Sequence, residues 1–204
     1  MEDKGHGEKK IIIGLTGMYC AGKNYIAALL EARGIPVLDV DKLGYRAIEE
    51  EREAILTRFG REVLSASGQV DRKKLGALVF DNPGELAALE SIVHPGANRL
   101  TGQWIGEQGG PCVINAALLH RSSAFERLDA IILVKAPALV RFGRARKRDG
   151  LPWGELFRRF WSQRNFISQY LRGKTDIYTI YNSPFRTDPR RQLETIILRI
   201  GMVT

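Results

Sequence analysis

The sequence predicts an α/β fold: a parallel five-stranded sheet with helices on both faces and two helical inserts. Three observations carry this expectation. Short, continuously apolar runs bounded by Gly, Pro or polar residues recur along the 204 residues, as buried parallel strands require. These runs alternate with helical segments, the mark of βαβ units. The alternation breaks twice, from Lys42 to about Glu107 and from Pro152 to about Leu171, and neither stretch holds a convincing strand.

Met1 to Lys10 is polar, with Gly5 and Gly7, and reads as a mobile tail without the apolar stretch of a signal peptide. Ile11 to Leu15 is the first buried strand. A Gly-rich turn leads into a helix over Tyr25 to Arg33, stopped by Gly34. Ile35 to Asp39 is the second strand, with Pro36 tolerable near its start. Inside the long insert, Asp71 and Asn82-Pro83 mark helix starts, Pro83 standing at a first helical position, and His94-Pro95 interrupts the helical pattern. Pro111 to Asn115 and Leu128 to Val134 are two further strands, and Ile177 to Tyr181 is a weaker fifth. The expected organisation is therefore a tail (1–10), a core (11–41, 108–150 and 172–204), a helical substrate-side subdomain (42–107) and a movable flap (151–171). The inserts can equally be helices packed into one rigid body.

Composition narrows the function classes. At 44% hydrophobic and 26% charged residues the chain is ordinary for a globular protein, which excludes wholesale disorder. No apolar run reaches the length of a membrane span. Two cysteines, Cys20 and Cys112, are too few for a disulfide scaffold and suggest a reducing, cytoplasmic setting. The 31 Lys and Arg against 23 Asp and Glu give a net charge of +8, which favours anionic partners. Much of that excess lies between Arg141 and Arg172, opposed only by Asp149 and Glu155. Such a block can clamp phosphates, form a solvated helical face or make an RNA patch.

The strongest chemical signal is Gly17-Met18-Tyr19-Cys20-Ala21-Gly22-Lys23-Asn24, placed after a strand and before a helix. This is a GxxxxGK phosphate loop. Gly17 and Gly22 permit the backbone angles that aim successive N–H groups at phosphate oxygens, the helix start adds its dipole, and Lys23 supplies a point charge. Position 24 calls for a hydroxyl toward Mg²⁺ and carries Asn, whose amide oxygen can ligate the ion directly or through water. Cys20 lies beside the helix start, where a thiolate could be favoured, and is expected to serve only through its backbone N–H.

Asp39 and Asp41 stand at the carboxyl end of the second strand, the sheet edge where ligands of open α/β folds bind. If the strand continues through Asp41, both carboxylates share one side. One can then take a proton from an attacking hydroxyl. Alternatively, Asp41 caps a helix beginning at Lys42. Arg144 and Arg148 share a helix face, suited to phosphoryl transfer or merely to solvent. His94 can meet an acceptor phosphate or sit satisfied in a helix junction.

With these residues in place the chain resembles the dephospho-CoA kinases, P-loop kinase-like enzymes. The resemblance runs from Ile12 to about Asn182. It rests on Ile13 through Lys23, Gly34-Ile35-Pro36-Val37-Leu38-Asp39-Val40-Asp41, Val70 to Leu75, Val79-Phe80, Asn82-Pro83, His94-Pro95, Leu118-Leu119, Arg144, Arg148-Asp149-Gly150, Arg159, Gln163, Asp176 and Asn182. It implies transfer of the ATP γ-phosphoryl group to the ribose 3′-hydroxyl of dephospho-CoA, with Mg²⁺. By the same resemblance, Asp41 is the general base and Lys23 and Arg144 reach the ATP phosphates. Gly17, Cys20, Ala21, Gly22, Lys23, Asn24, Tyr25 and Arg148 bind ATP, Arg148 by ordering the lid or stacking near the adenine. Asp39 and His94 face the acceptor, residues 42–107 form the acceptor (CoA) subdomain, and 151–171 form the lid. The expected state is a cytoplasmic monomer with no nucleic-acid or membrane partner. The chain departs from the family pattern at Tyr19, Asn24, Ala117, Arg121 and Lys135. Those departures keep open another P-loop kinase of nucleosides or small molecules, or a divergent nucleotide-binding protein with weak catalysis.

Overall fold

The computed structural model describes residues 10–79, 82–162, 166, 170 and 175–202. Its strands are β1 (Ile12–Gly17), β2 (Val37–Asp39), β3 (Cys112–Asn115), β4 (Ala130–Lys135) and β5 (Asp176–Tyr181). They form the five-stranded parallel sheet that the sequence predicts, and its strand order is β2-β3-β1-β4-β5. The helices among the described residues are α1 (Lys23–Glu31), α2 (Val40–Glu50), α3 (Arg52–Phe59), α4 (Arg72–Val79), α5 (Pro83–Glu107), α6 (Ala138–Asp149), α7 (Trp153–Ser162) and α8 (Pro189–Ile200). Phe80, Gln163 and Arg172, all named from the sequence above, lie outside the described residues.

The chain divides into two compact units: residues up to Leu38 together with those from Gln108 on, and Asp39–Glu107. In the first unit β1 is central, and all six of its residues are buried. The register Ile13↔Val113 and Leu15↔Ile132 turns alternate side chains toward one face. There Ile13, Leu15, Val113, Ile132, Val134 and Ile180 share a core with α1 and α8. Each such side chain contributes roughly 1.5–3 kcal/mol by leaving water. Gly14 faces the other way, where Leu119 and Leu128 press so close that a Cβ would overlap both. Asp188 caps α8 through the Arg190 amide at 2.9 Å, and Gly201, with φ 76°, ends it.

The second unit carries its own core of Ile55, Phe59, Val63, Val70, Leu75 and Val79. The starts of α4 and α5 are where the sequence expects them. The Asp71 carboxylate accepts from the Lys73 and Lys74 amides at 2.9 and 3.3 Å, and Asn82 Oδ1 accepts from Gly84 and Glu85 at 3.1 and 3.3 Å. Two details differ. Leu64 and Val70 form an isolated antiparallel bridge, a pairing too short to register as a strand pattern. The helix also does not break at His94-Pro95: α5 runs through Pro95 from Pro83 to Glu107. An interior proline forfeits a hydrogen bond and costs about 3 kcal/mol. Packing holds the helix regardless: Pro95 is exposed, and next to it Gly96 is buried against Ala47 of α2 and Glu51, which caps that helix.

Candidate active site

The GxxxxGK segment is the turn between β1 and α1. Gly17 closes β1 so tightly that a Cβ would lie 2.9 Å from the Val134 carbonyl oxygen. The Ala21 amide donates to the Met18 carbonyl at 2.9 Å, closing a turn with Tyr19 and Cys20 at its tip. Cys20 has φ 57°, a left-handed conformation unusual for a residue with a side chain. Gly22 caps α1 with φ 99°, and its missing Cβ leaves space that the Asn182 amide fills. Lys23 and Asn24 occupy the first two positions of α1, Lys23 half-buried and Asn24 exposed. Tyr25 follows, its hydroxyl 3.2 Å from Arg190 Nε.

The outer side of this turn is gripped by the rest of the first unit. Asn182 Nδ2 and Arg144 Nη1 both donate to the Ala21 carbonyl, at 2.9 and 3.1 Å. Arg144 Nη2 reaches the Asn182 carbonyl at 3.2 Å and its Oδ1 at 3.3 Å. The Asn182 amide is itself fixed at 2.8 Å to the carbonyl of Lys135, at the end of β4. Holding the Ala21 carbonyl this way fixes the peptide plane that ends in the Gly22 N–H. An anion site made of backbone N–H groups depends on that orientation.

A second grip works through Tyr19. Its hydroxyl donates to Asp149, its ring meets Phe160 edge-on at 5.7 Å, and its carbonyl accepts from Arg141 Nη1 at 3.4 Å. Arg148 makes a bidentate pair with Asp149 at 2.7 and 3.0 Å, which holds the Asp149 carboxyl down at about 2. Arg141 is 6% exposed, and its Nε is buried without a hydrogen-bond partner among the described residues. Burial pushes the Cys20 thiol up, against the thiolate alternative.

The first unit thus gathers Gly17, Cys20, Ala21, Gly22, Lys23, Asn24, Tyr25, Arg144 and Arg148 at or beside the turn. Asp39, Asp41 and His94 belong to the second unit. There α2 begins at Val40, earlier than the sequence suggests, so β2 does not continue through Asp41 and the two carboxylates do not share a strand side. Asp39, not Asp41, is the cap: its Oδ1 accepts from the Lys42 amide at 3.3 Å. Asp41 lies exposed in the first turn of α2, and His94 is half-buried within α5. The sequence reading carried Asn182 and Tyr19 without a role. Their partners lie 161 and 130 residues away, and no local pattern announces such contacts.

The family model for dephospho-CoA kinase matches residues 11–183. A dephospho-CoA kinase of Anaeromyxobacter dehalogenans is 42% identical over 151 residues, 71% of this chain and 72% of that protein. One from Thermus thermophilus is 34% identical over 198 residues, 96% of this chain and 95% of that protein. Among solved structures, a Thermus thermophilus protein superposes with TM-score 0.76 at 33% identity, covering 96% of this chain and 98% of that one. A Campylobacter jejuni dephospho-CoA kinase, 22% identical, shares the fold with TM-score 0.65 over 94% of this chain and 97% of that one. No described helix is long and apolar enough to cross a membrane. The match of the family model over residues 11–183, with a relative 34% identical over 96% of the chain, puts the chain in the dephospho-CoA kinase family.

Proposed function

We propose that the protein transfers the γ-phosphoryl group of ATP to the ribose 3′-hydroxyl of dephospho-CoA, the kinase step of coenzyme A synthesis. The observation that carries this reading is the turn from Gly17 to Asn24, whose Ala21 carbonyl is held by Asn182 and Arg144. A nest braced in this way suits a polyphosphate tail.

In this reading the loop N–H groups and the start of α1 hold the phosphates, and the Lys23 ammonium neutralises their outer oxygens. The 3′-hydroxyl oxygen forms a bond to the γ-phosphorus as the bond to the ADP oxygen breaks. Asp41 takes the hydroxyl proton. Asp39 and His94 face the acceptor, Arg144 reaches the migrating group, and Arg148 lies toward the adenine. Lid 151–171 excludes water. For Mg²⁺ the donor set is adequate. The exposed Asn24 amide oxygen is a hard ligand, and Mg²⁺ is commonly held by one or two protein oxygens together with substrate phosphates. Bound there with the ATP phosphates, the ion would offset their negative charge. Two free thiols, Cys20 and Cys112, agree with a reducing, cytoplasmic setting, and a monomer acting on small molecules completes the reading.

The test is conversion of dephospho-CoA and ATP to CoA and ADP, followed by mass spectrometry of the acceptor, with nucleosides, nucleotides and other small alcohols as alternative acceptors. CoA formation is expected. ADP release with another acceptor and none with dephospho-CoA would overturn the assignment.

A further inference from the structure

We infer that Tyr19 is a positioning residue for the nucleotide phosphates: the handle by which α6 and α7 steady the phosphate loop. The inference rests on the kinase reading above. Tyr19 stands at the tip of the turn closed by the Ala21 amide and the Met18 carbonyl. Its backbone is part of the loop, while its side chain leaves the loop and enters a cluster built by the two helices. The hydroxyl donates to Asp149, the last residue of α6. Gly150, with φ 62°, then turns the chain into α7, which returns Arg159 to within 3.9 Å of Asp149 Oδ2. The Tyr19 ring meets Phe160 of α7 at 5.7 Å and has the Arg148 and Arg159 guanidinium groups 5.2 and 5.8 Å from its centroid.

These contacts concern the phosphates because of where the strain lies. Cys20, next to Tyr19, holds φ 57° without being glycine. A turn in that conformation relaxes unless its surroundings fix it, and relaxation would misdirect the N–H groups of the nest. Anchoring the adjoining side chain keeps the turn in its binding shape before ATP arrives, which lowers the ordering cost of binding. Asp149 is the hub: it accepts from Tyr19 and pairs with Arg148 of α6 and Arg159 of α7. By reciprocity, nucleotide in the loop must steady α7 as much as α7 steadies the loop. The acceptor has no part in this coupling.

The decisive variant is Tyr19→Phe, which keeps the ring and removes the bond to Asp149. One hydrogen bond to a charged group, discounted for partial exposure, corresponds to about a 10-fold change. The KM for ATP is expected to rise about 5–10-fold, with the KM for dephospho-CoA unchanged. Hydrogen exchange of α7 amides in the ATP complex is expected to quicken by a similar factor, with β4 amides unchanged as an internal reference. Asp149→Asn removes the charge that holds Tyr19, Arg148 and Arg159 together, so it should raise the ATP KM at least as much, and the double variant should be no worse than Asp149→Asn alone, since the Tyr19 bond to that charge is then already gone. An ATP KM within twofold of the natural protein, additive losses in the double variant, or a uniform quickening that includes β4 would overturn the inference. The natural protein's turnover is measured alongside. Its absence would strike the kinase reading, while ATP affinity and α7 exchange still decide the role of Tyr19.

Discussion

Replacing Asn182 with Ala probes the brace on the phosphate loop. The side chain supplies two contacts, Nδ2 to the Ala21 carbonyl at 2.9 Å and Oδ1 from Arg144 Nη2 at 3.3 Å. The bonds from Arg144 to the Ala21 and Asn182 carbonyls remain. Two hydrogen bonds of roughly 1 kcal/mol each sum to about 2 kcal/mol, or about 30-fold in affinity. Asn182 is half-buried, and water replaces part of what is lost, so the expected weakening of ATP binding is about 5–30-fold. Titration calorimetry with ATP reads this directly. Asn182→Asp sharpens the comparison. It keeps an acceptor for Arg144 but sets a carboxylate against the Ala21 carbonyl and near the bound phosphates, so it should weaken ATP at least as much as Ala does. Dephospho-CoA affinity should be unchanged in both variants. An Ala variant that binds ATP within twofold of the natural protein, or that loses both substrates equally, would refute the argument that this carbonyl matters.

Asp41→Asn should leave ATP affinity intact and lower kcat by about 10²–10⁴-fold, read as the rate of CoA formation; unchanged turnover would remove Asp41 as the base. Acid should loosen the contact between Tyr19 and α7. The Arg148 pair holds the Asp149 carboxyl at about 2, below its usual 3.8, so the folded state binds fewer protons between these values. The stabilisation is complete above about pH 4 and is lost as pH falls through about 2. Amide exchange of α7 against pH measures it, and Asp149→Asn should flatten that limb. Gly14→Val should lower stability by about 1–3 kcal/mol, because the added carbons enter space held by Leu119 and Leu128. Chemical denaturation is the readout, and an unchanged midpoint would show that those leucines yield freely.

The parts of this molecule legible in sequence are those whose cause is local. Buried parallel strands announce themselves as apolar runs, and Gly17 and Gly22 stand where a Cβ meets the Val134 carbonyl or the Asn182 amide. Asp71 and Asn82 cap the helices that follow them, as their side chains favour. Where distant packing decides, the reading fails. Pro95 looks like a break, yet α5 continues because Gly96 seats it on α2. Val40 is β-branched and follows a strand, yet Asp39 caps a helix there. Cys20 carries no local sign of its left-handed backbone. Tyr19 reads as a bulky intrusion in a Gly-rich loop until Asp149 and Phe160 are brought to it.

The interrupted order of the core has a kinetic consequence. β1 is followed in sequence by β2 but pairs with β3 and β4, and Ile12 meets Cys112 across about one hundred intervening positions. Closing so long a segment is entropically expensive, and parallel pairings of this reach form slowly. Residues 39–107 are contiguous and enclose an apolar cluster of their own, so they can collapse ahead of the sheet and shorten the free chain between its partners. Refolding should then proceed in two phases, the inserted helices first and the central strand last. The nucleotide turn, which hangs on that strand, would be completed at the end of the process.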